Sequence, residues 1–96
     1  MAIVVVFRFP NDALSKYNSV FEVGGEAILE QPKRLSHACY EDGAGFTVVD
    51  VWEDEASFTA FGATIGPTMG AVGLAGAPEI HRLIGTISQT GTRTSY

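Results

Sequence analysis

Between two runs of alternating character, Leu35 to Glu41 and Gly45 to Trp52, the chain places Asp42-Gly43, a strong signal for a tight hairpin. The two runs should therefore pair antiparallel, so that the segments before and after them share one sheet. The opening run is apolar on both alternating faces, Ile3, Val5, Phe7 and Phe9 against Ala2, Val4 and Val6, as a central strand covered on both sides would be. Pro10 ends it. Asn11 or Asp12 then stands where a helix cap belongs, and Leu14, Tyr17, Phe21 and Ile28 recur at helical steps with Gly24 between them. Gly24-Gly25 inside this helix should cost about 1 kcal/mol per glycine, which predicts a bend or break there. After the hairpin, Glu53, Asp54 and Glu55 favour the positive end of a second helix, with Phe58, Phe61 and Ile65 on one face. Gly66-Pro67 predicts an interruption, after which Met69 and Val72 continue the face to Gly73. A last strand is expected over about residues 79–87.

The order strand, helix, strand, strand, helix, strand is the ferredoxin-like α+β arrangement, an antiparallel sheet with both helices on one face. Residues 1–88 are expected to form this single domain, with 89–96 a polar C-terminal tail that frays or packs against a partner chain. A chain of 96 residues with 46% hydrophobic content is near the lower end of comfortable single-core size. The sheet face away from the helices, with Thr47, Val49 and Val51, also needs cover. Two sheets packed face to face would supply it, giving a homodimer with a barrel-like centre.

Charge and cysteine content narrow the partners. Eleven acids against six bases give a formal charge of -5, with no basic stripe for nucleic acid or for acidic membranes. The apolar start has no basic leader and is far shorter than the ~20 residues of a membrane span. The single cysteine, Cys39, makes no internal disulfide and no metal or redox motif, so a cytoplasmic protein is expected. Burial as a small apolar residue suits Cys39 better than a nucleophilic role. Neither His37 nor His81 has a second ligand at helical spacing, so no metal site is expected. The glycines form no phosphate loop, so nucleotides are not indicated.

One constellation carries chemistry. A two-residue turn at Asp42-Gly43 sets His37 opposite Val48 and Leu35 opposite Asp50; a four-residue turn sets His37 opposite Asp50 and Leu35 opposite Trp52. Both keep His37, Cys39, Asp50 and Trp52 on one face. A carboxylate beside an imidazole fixes its tautomer and raises its basicity, which suits a general base near neutral pH. The Trp52 indole offers a surface on which an aromatic substrate would stack. Phe58, Phe61, Ile65 and Met69 are at helical spacing that serves either core or pocket wall. His81, on the last strand, points either into that pocket or to solvent.

The segment Gly45 to Phe58, then Phe61, Ile65-Gly66-Pro67, Gly73-Leu74 and Pro78-Glu79, with the Arg8-Phe9-Pro10 exit and His37, resembles small actinobacterial-type proteins of the dimeric α+β barrel superfamily. Its best-known enzymatic members are the antibiotic biosynthesis monooxygenases. The resemblance implies a homodimer with one ligand cavity per subunit between helices and sheet. It also implies a reaction without cofactor: a polar group deprotonates a phenolic or polyketide-like substrate, the anion reacts with oxygen, and a tryptophan shapes the pocket. His37 and Asp50 are the residues expected to move the proton. Trp52, Phe58, Phe61, Ile65, Met69 and His81 are those expected to bind substrate. Heme is not expected, because the second helix lacks the histidine that heme-degrading relatives carry. The superfamily also holds isomerases, polyketide cyclases and proteins without known chemistry, so a non-redox enzyme and a non-catalytic binder of apolar ligands are the alternatives.

Overall fold

The computed structural model describes residues 1–96. Strand β1 (Ile3–Phe9) has two antiparallel neighbours, as its doubly apolar sequence requires. With β2 (Arg34–Asp42), β3 (Gly45–Trp52) and β4 (Glu79–Arg82) it builds a four-stranded antiparallel sheet in the order β2-β3-β1-β4. Helices α1 (Leu14–Gly24), α2 (Glu26–Leu29) and α3 (Glu55–Val72) supply the second layer. Ile3, Val5, Phe7 and Phe9 of β1 and Phe46, Val48 and Trp52 of β3 meet Val20, Ile28, Phe58 and Phe61 of the helices in one core. The ferredoxin-like α+β expectation holds.

The β2–β3 hairpin turns one residue later than Asp42-Gly43. Asp42 pairs with Gly45, leaving Gly43-Ala44 as the loop, and Gly43 takes a φ of +57° that costs little only without a Cβ. His37 is thereby set opposite Asp50, the second of the two registers read from the sequence. Leu35 does not follow it. A bulge between Arg34 and Ser36 brings Arg34 opposite Trp52, and the extra residue turns the Arg34 side chain onto the helical face.

Helix α1 begins at Leu14, later than expected, and neither Asn11 nor Asp12 caps it. Asp12 accepts instead from Lys16 Nζ at 2.8 Å, and the same ammonium donates to the Gly73 carbonyl at 3.0 Å, fastening α1 to the end of α3. The expected break falls at Gly25, with φ +59°. A Cβ on Gly24 would strike Ile28, so the glycine pair lets α2 fold back and bury Ile28 at 3% exposure. Arg34 closes the turn, its Nη1 and Nη2 donating to the Ile28 and Leu29 carbonyls at 2.9 and 2.7 Å.

Two expectations are corrected farther on. Helix α3 is not interrupted at Gly66-Pro67 but runs through Pro67 to Val72, and Gly73 ends it in the left-handed region at φ +80°. Gly62, Gly66 and Gly70 leave open space beside that stretch, and Thr68 donates its hydroxyl to the Thr64 carbonyl at 3.2 Å. The last strand also divides. After β4, Leu83 N–H donates to the Ala2 carbonyl at 2.9 Å, and β5 (Gly85–Ile87) pairs antiparallel with β6 (Arg93–Ser95). The polar tail is thus half of a second hairpin rather than a frayed end. Its apolar members lie open, Ile84 at 77% and Ile87 at 72% exposure. No helix is long and apolar enough to cross a membrane.

Candidate active site

Asp50 alternates onto the helical face of β3 and is 4% exposed among aliphatic and aromatic neighbours. A carboxylate so enclosed needs a donor. It has one across the hairpin: His37 Nδ1 lies 2.6 Å from Asp50 Oδ1. The other ring nitrogen is also engaged, since His37 Nε2 lies 2.7 Å from Tyr17 Oη of α1. An ionised carboxylate only accepts, so Nδ1 carries the hydrogen, and in the neutral ring Nε2 accepts from the Tyr17 hydroxyl. Asp50, His37 and Tyr17 therefore form one directed chain across three elements.

Aromatic packing fixes this chain in place. Tyr17 lies parallel to the His37 imidazole at a centroid distance of 6.0 Å and meets Phe21 edge-on at 4.9 Å. Phe46 supports it from β3 at 5.5 Å. Burial is the main cause that pushes the Tyr17 phenol above its ordinary value of 10.0, with Cys39 and Asp50 acting in the same direction. Burial likewise pushes the Cys39 thiol up, which keeps it protonated and poorly nucleophilic.

The chain stands in the wall of a cavity of about 300 Å³ between helices and sheet. Of its sixteen lining residues, thirteen are hydrophobic, the Tyr17 ring among them, and the others are Arg34, His37 and Asp50, so the groups able to move a proton lie where α1 meets the β2–β3 hairpin. The His37 side chain is 28% exposed against 6% for Asp50, which places the imidazole at the mouth and the carboxylate behind it. Arg34 has no carboxylate within ion-pair distance among the salt bridges of the chain and lies 6.0 Å from the Trp52 ring centre. No cluster of three or more His, Cys, Asp or Glu side chains gathers as a metal site would require.

Solved structures of the same shape include a cofactor-independent oxygenase from Streptomyces nogalater, SnoaB. It matches at a TM-score of 0.68 and 21% identity over 92% of this chain and 98% of its own. The chain has the SnoaB fold. A conserved protein from Methanosarcina mazei matches at TM-score 0.58 and 19% identity, over 84% of this chain and 89% of its own. A Caulobacter crescentus protein proposed to be an antibiotic biosynthesis monooxygenase matches at 0.54 and 16%, over 83% of each chain. At such identities the likeness is one of fold, and it agrees with the resemblance carried by the Gly45 to Phe58 segment. No protein-family model matches the chain, and no curated protein matches it in sequence.

Within this SnoaB-like fold the expected residues divide. His37 and Asp50 come together, and Phe61, Ile65 and Met69 line their cavity. Trp52 does not line it. The indole is 0% exposed, enclosed by Phe58 at 5.8 Å and Phe61 at 5.1 Å, and the bulge that turns Arg34 over it closes the remaining side. Phe58 lies beside it in a neighbouring hollow. His81 is corrected as well: it pairs in register with Val4, on the sheet face away from the helices, and lies 3.5 Å from Glu79. Tyr17, Phe21 and Arg34 are among the wall residues not anticipated. Helical spacing marked Tyr17 and Phe21 as apolar-face residues, but only the fold shows that Tyr17 reaches His37.

Proposed function

We propose that this protein is an enzyme that acts without a cofactor on a hydroxylated aromatic or polyketide-like molecule, removing a proton through His37 so that dioxygen can add. The observation that carries this reading is the 2.6 Å pair of His37 and a 4% exposed Asp50 on the wall of a mostly apolar cavity. A buried carboxylate behind an imidazole stabilises the imidazolium that proton removal creates. The cavity, at about 300 Å³, falls at the low end of the ~300–1,000 Å³ typical of small-molecule sites. An apolar wall favours a delocalised aromatic anion over a localised one. Such an anion takes dioxygen at carbon to give a hydroperoxide after reprotonation, and loss of water from a former CH₂ leaves a carbonyl. The shared fold with a cofactor-independent oxygenase supports this chemistry.

We further propose that two copies pair through the outer sheet face. There Ala2 at 2%, Val6 at 8% and Thr47 at 0% exposure are already enclosed by their neighbours, while Val4, Val49 and Val51 are only partly covered. Oxygen uptake with a hydroxyanthrone in the presence of a chelator tests the enzymatic reading. Uptake should be rapid with the native protein and fall by about 10²–10⁴-fold in His37→Gln, the range general base catalysis supplies. Turnover of the same compound under nitrogen would replace the oxygenase reading with an isomerase or cyclase. Binding without turnover would leave a carrier.

A further inference from the structure

The base does not meet the cavity with a free nitrogen. Asp50 takes His37 Nδ1 at 2.6 Å and Tyr17 Oη takes Nε2 at 2.7 Å, so both ring nitrogens are used within the protein. A substrate hydroxyl could reach Nε2 only by displacing the phenol. Displacement is opposed by the packing of the Tyr17 ring, edge-on to Phe21 at 4.9 Å, against Phe46 at 5.5 Å and parallel to the imidazole itself. Tyr17 also lines the cavity, and its oxygen has a lone pair to spare once its hydrogen points to His37.

We propose that Tyr17 is the residue that touches the substrate, and that it relays the proton. As the substrate O–H gives its proton to Tyr17 Oη, Tyr17 gives its own to His37 Nε2. Two O–H bonds break, one new O–H and one N–H form, and the products are a substrate anion, a neutral Tyr17 and an imidazolium held by Asp50. Burial keeps Tyr17 protonated at neutral pH, so the relay begins with a proton to pass and needs no resting phenolate. The relay also defines the ligand class. A ring bearing a hydroxyl donor at its edge satisfies Tyr17 Oη, whereas the corresponding methyl ether offers that oxygen no hydrogen. The relay rests on the reading of His37 as base.

The test compares binding of 2-naphthol and 2-methoxynaphthalene, two probes with the same rings. The native protein should prefer the naphthol by about tenfold (~1.4 kcal/mol), as one hydrogen bond would give. Tyr17→Phe should abolish that preference, while His37→Gln should retain it, because the tyrosine hydroxyl remains. Placing 3-fluorotyrosine at position 17 preserves the fold and weakens the oxygen as an acceptor, so the preference should shrink there too. A preference that survives Tyr17→Phe but disappears in His37→Gln would show that the imidazole meets the substrate directly and would overturn the relay. Equal affinity for both probes in the native protein would overturn it as well. Oxygen uptake that needs His37, with a preference indifferent to Tyr17, would keep the base and discard the relay. A preference lost in Tyr17→Phe without any oxygen uptake would keep the Tyr17 contact and discard the oxygenase.

Discussion

Trp52 is fully enclosed, and its indole N–H has no hydrogen-bond partner. An unmade bond of this kind costs about 1–3 kcal/mol, which the burial of the indole against Phe58, Phe61 and the Arg34 guanidinium must exceed. Trp52→Ala should lower the unfolding free energy by about 3–5 kcal/mol in a denaturant titration. Trp52→Phe should lower it much less, because it removes the unmatched donor together with part of the volume. A substrate platform would behave otherwise, since its truncation would weaken ligand binding and leave stability nearly untouched. His37 and Asp50 were legible in the sequence because strand alternation alone fixes which residues share a face. Trp52 was misplaced because alternation gives the face but not the depth, and depth here depends on a bulge one strand away. Tyr17 was unreadable for a different reason: its partner lies twenty positions along the chain, and only the packing of α1 on the sheet joins them.

At the scale of elements, the hairpin and helix ends decide where those side chains go. Asp42-Gly43 announced the turn, yet the loop is Gly43-Ala44, because a two-residue loop that begins with a glycine at positive φ matches the twist of the flanking strands. The bulge at Leu35 left no mark in the polarity pattern, since Arg34 and Leu35 both suit an edge strand. Pro67 misled because a proline does not by itself end a helix: α3 continues through it, and the stop comes only at Gly73, in the left-handed region. The start of α3 was legible, and Asp54 accepts from the Ser57 N–H at 2.7 Å. That bond holds the Asp54 carboxyl below its usual 3.8. A carboxyl depressed in the folded state adds stability above its unfolded value and loses it as pH falls through the folded one. Asp54→Ala should therefore melt at a lower temperature than the native protein at pH 7, and the gap should close as the pH is lowered below 3.8.

For the molecule as a whole, the strand and helix order was sufficient to give the fold, because six elements in this order have few ways to bury both helices on one antiparallel sheet. The second hairpin was not foreseen, since its polar residues carry no periodicity. With β5 and β6 exposed throughout and Ile84 and Ile87 open, it is a structure that a second subunit would stabilise, as isolated two-stranded hairpins are marginal in water. Sedimentation equilibrium should accordingly return twice the 10.2 kDa chain mass, and a monomer at micromolar concentration would remove the proposed pairing. The proposed chemistry depends on a single proton. In ¹⁵N-resolved NMR of the histidine rings at neutral pH, His37 should hold its hydrogen on Nδ1 with Nε2 an acceptor, and adding 2-naphthol should shift it toward the imidazolium. A hydrogen resident on Nε2, unmoved by the phenol, would contradict the account, because the imidazole would then have no lone pair with which to take the proton that Tyr17 Oη passes on.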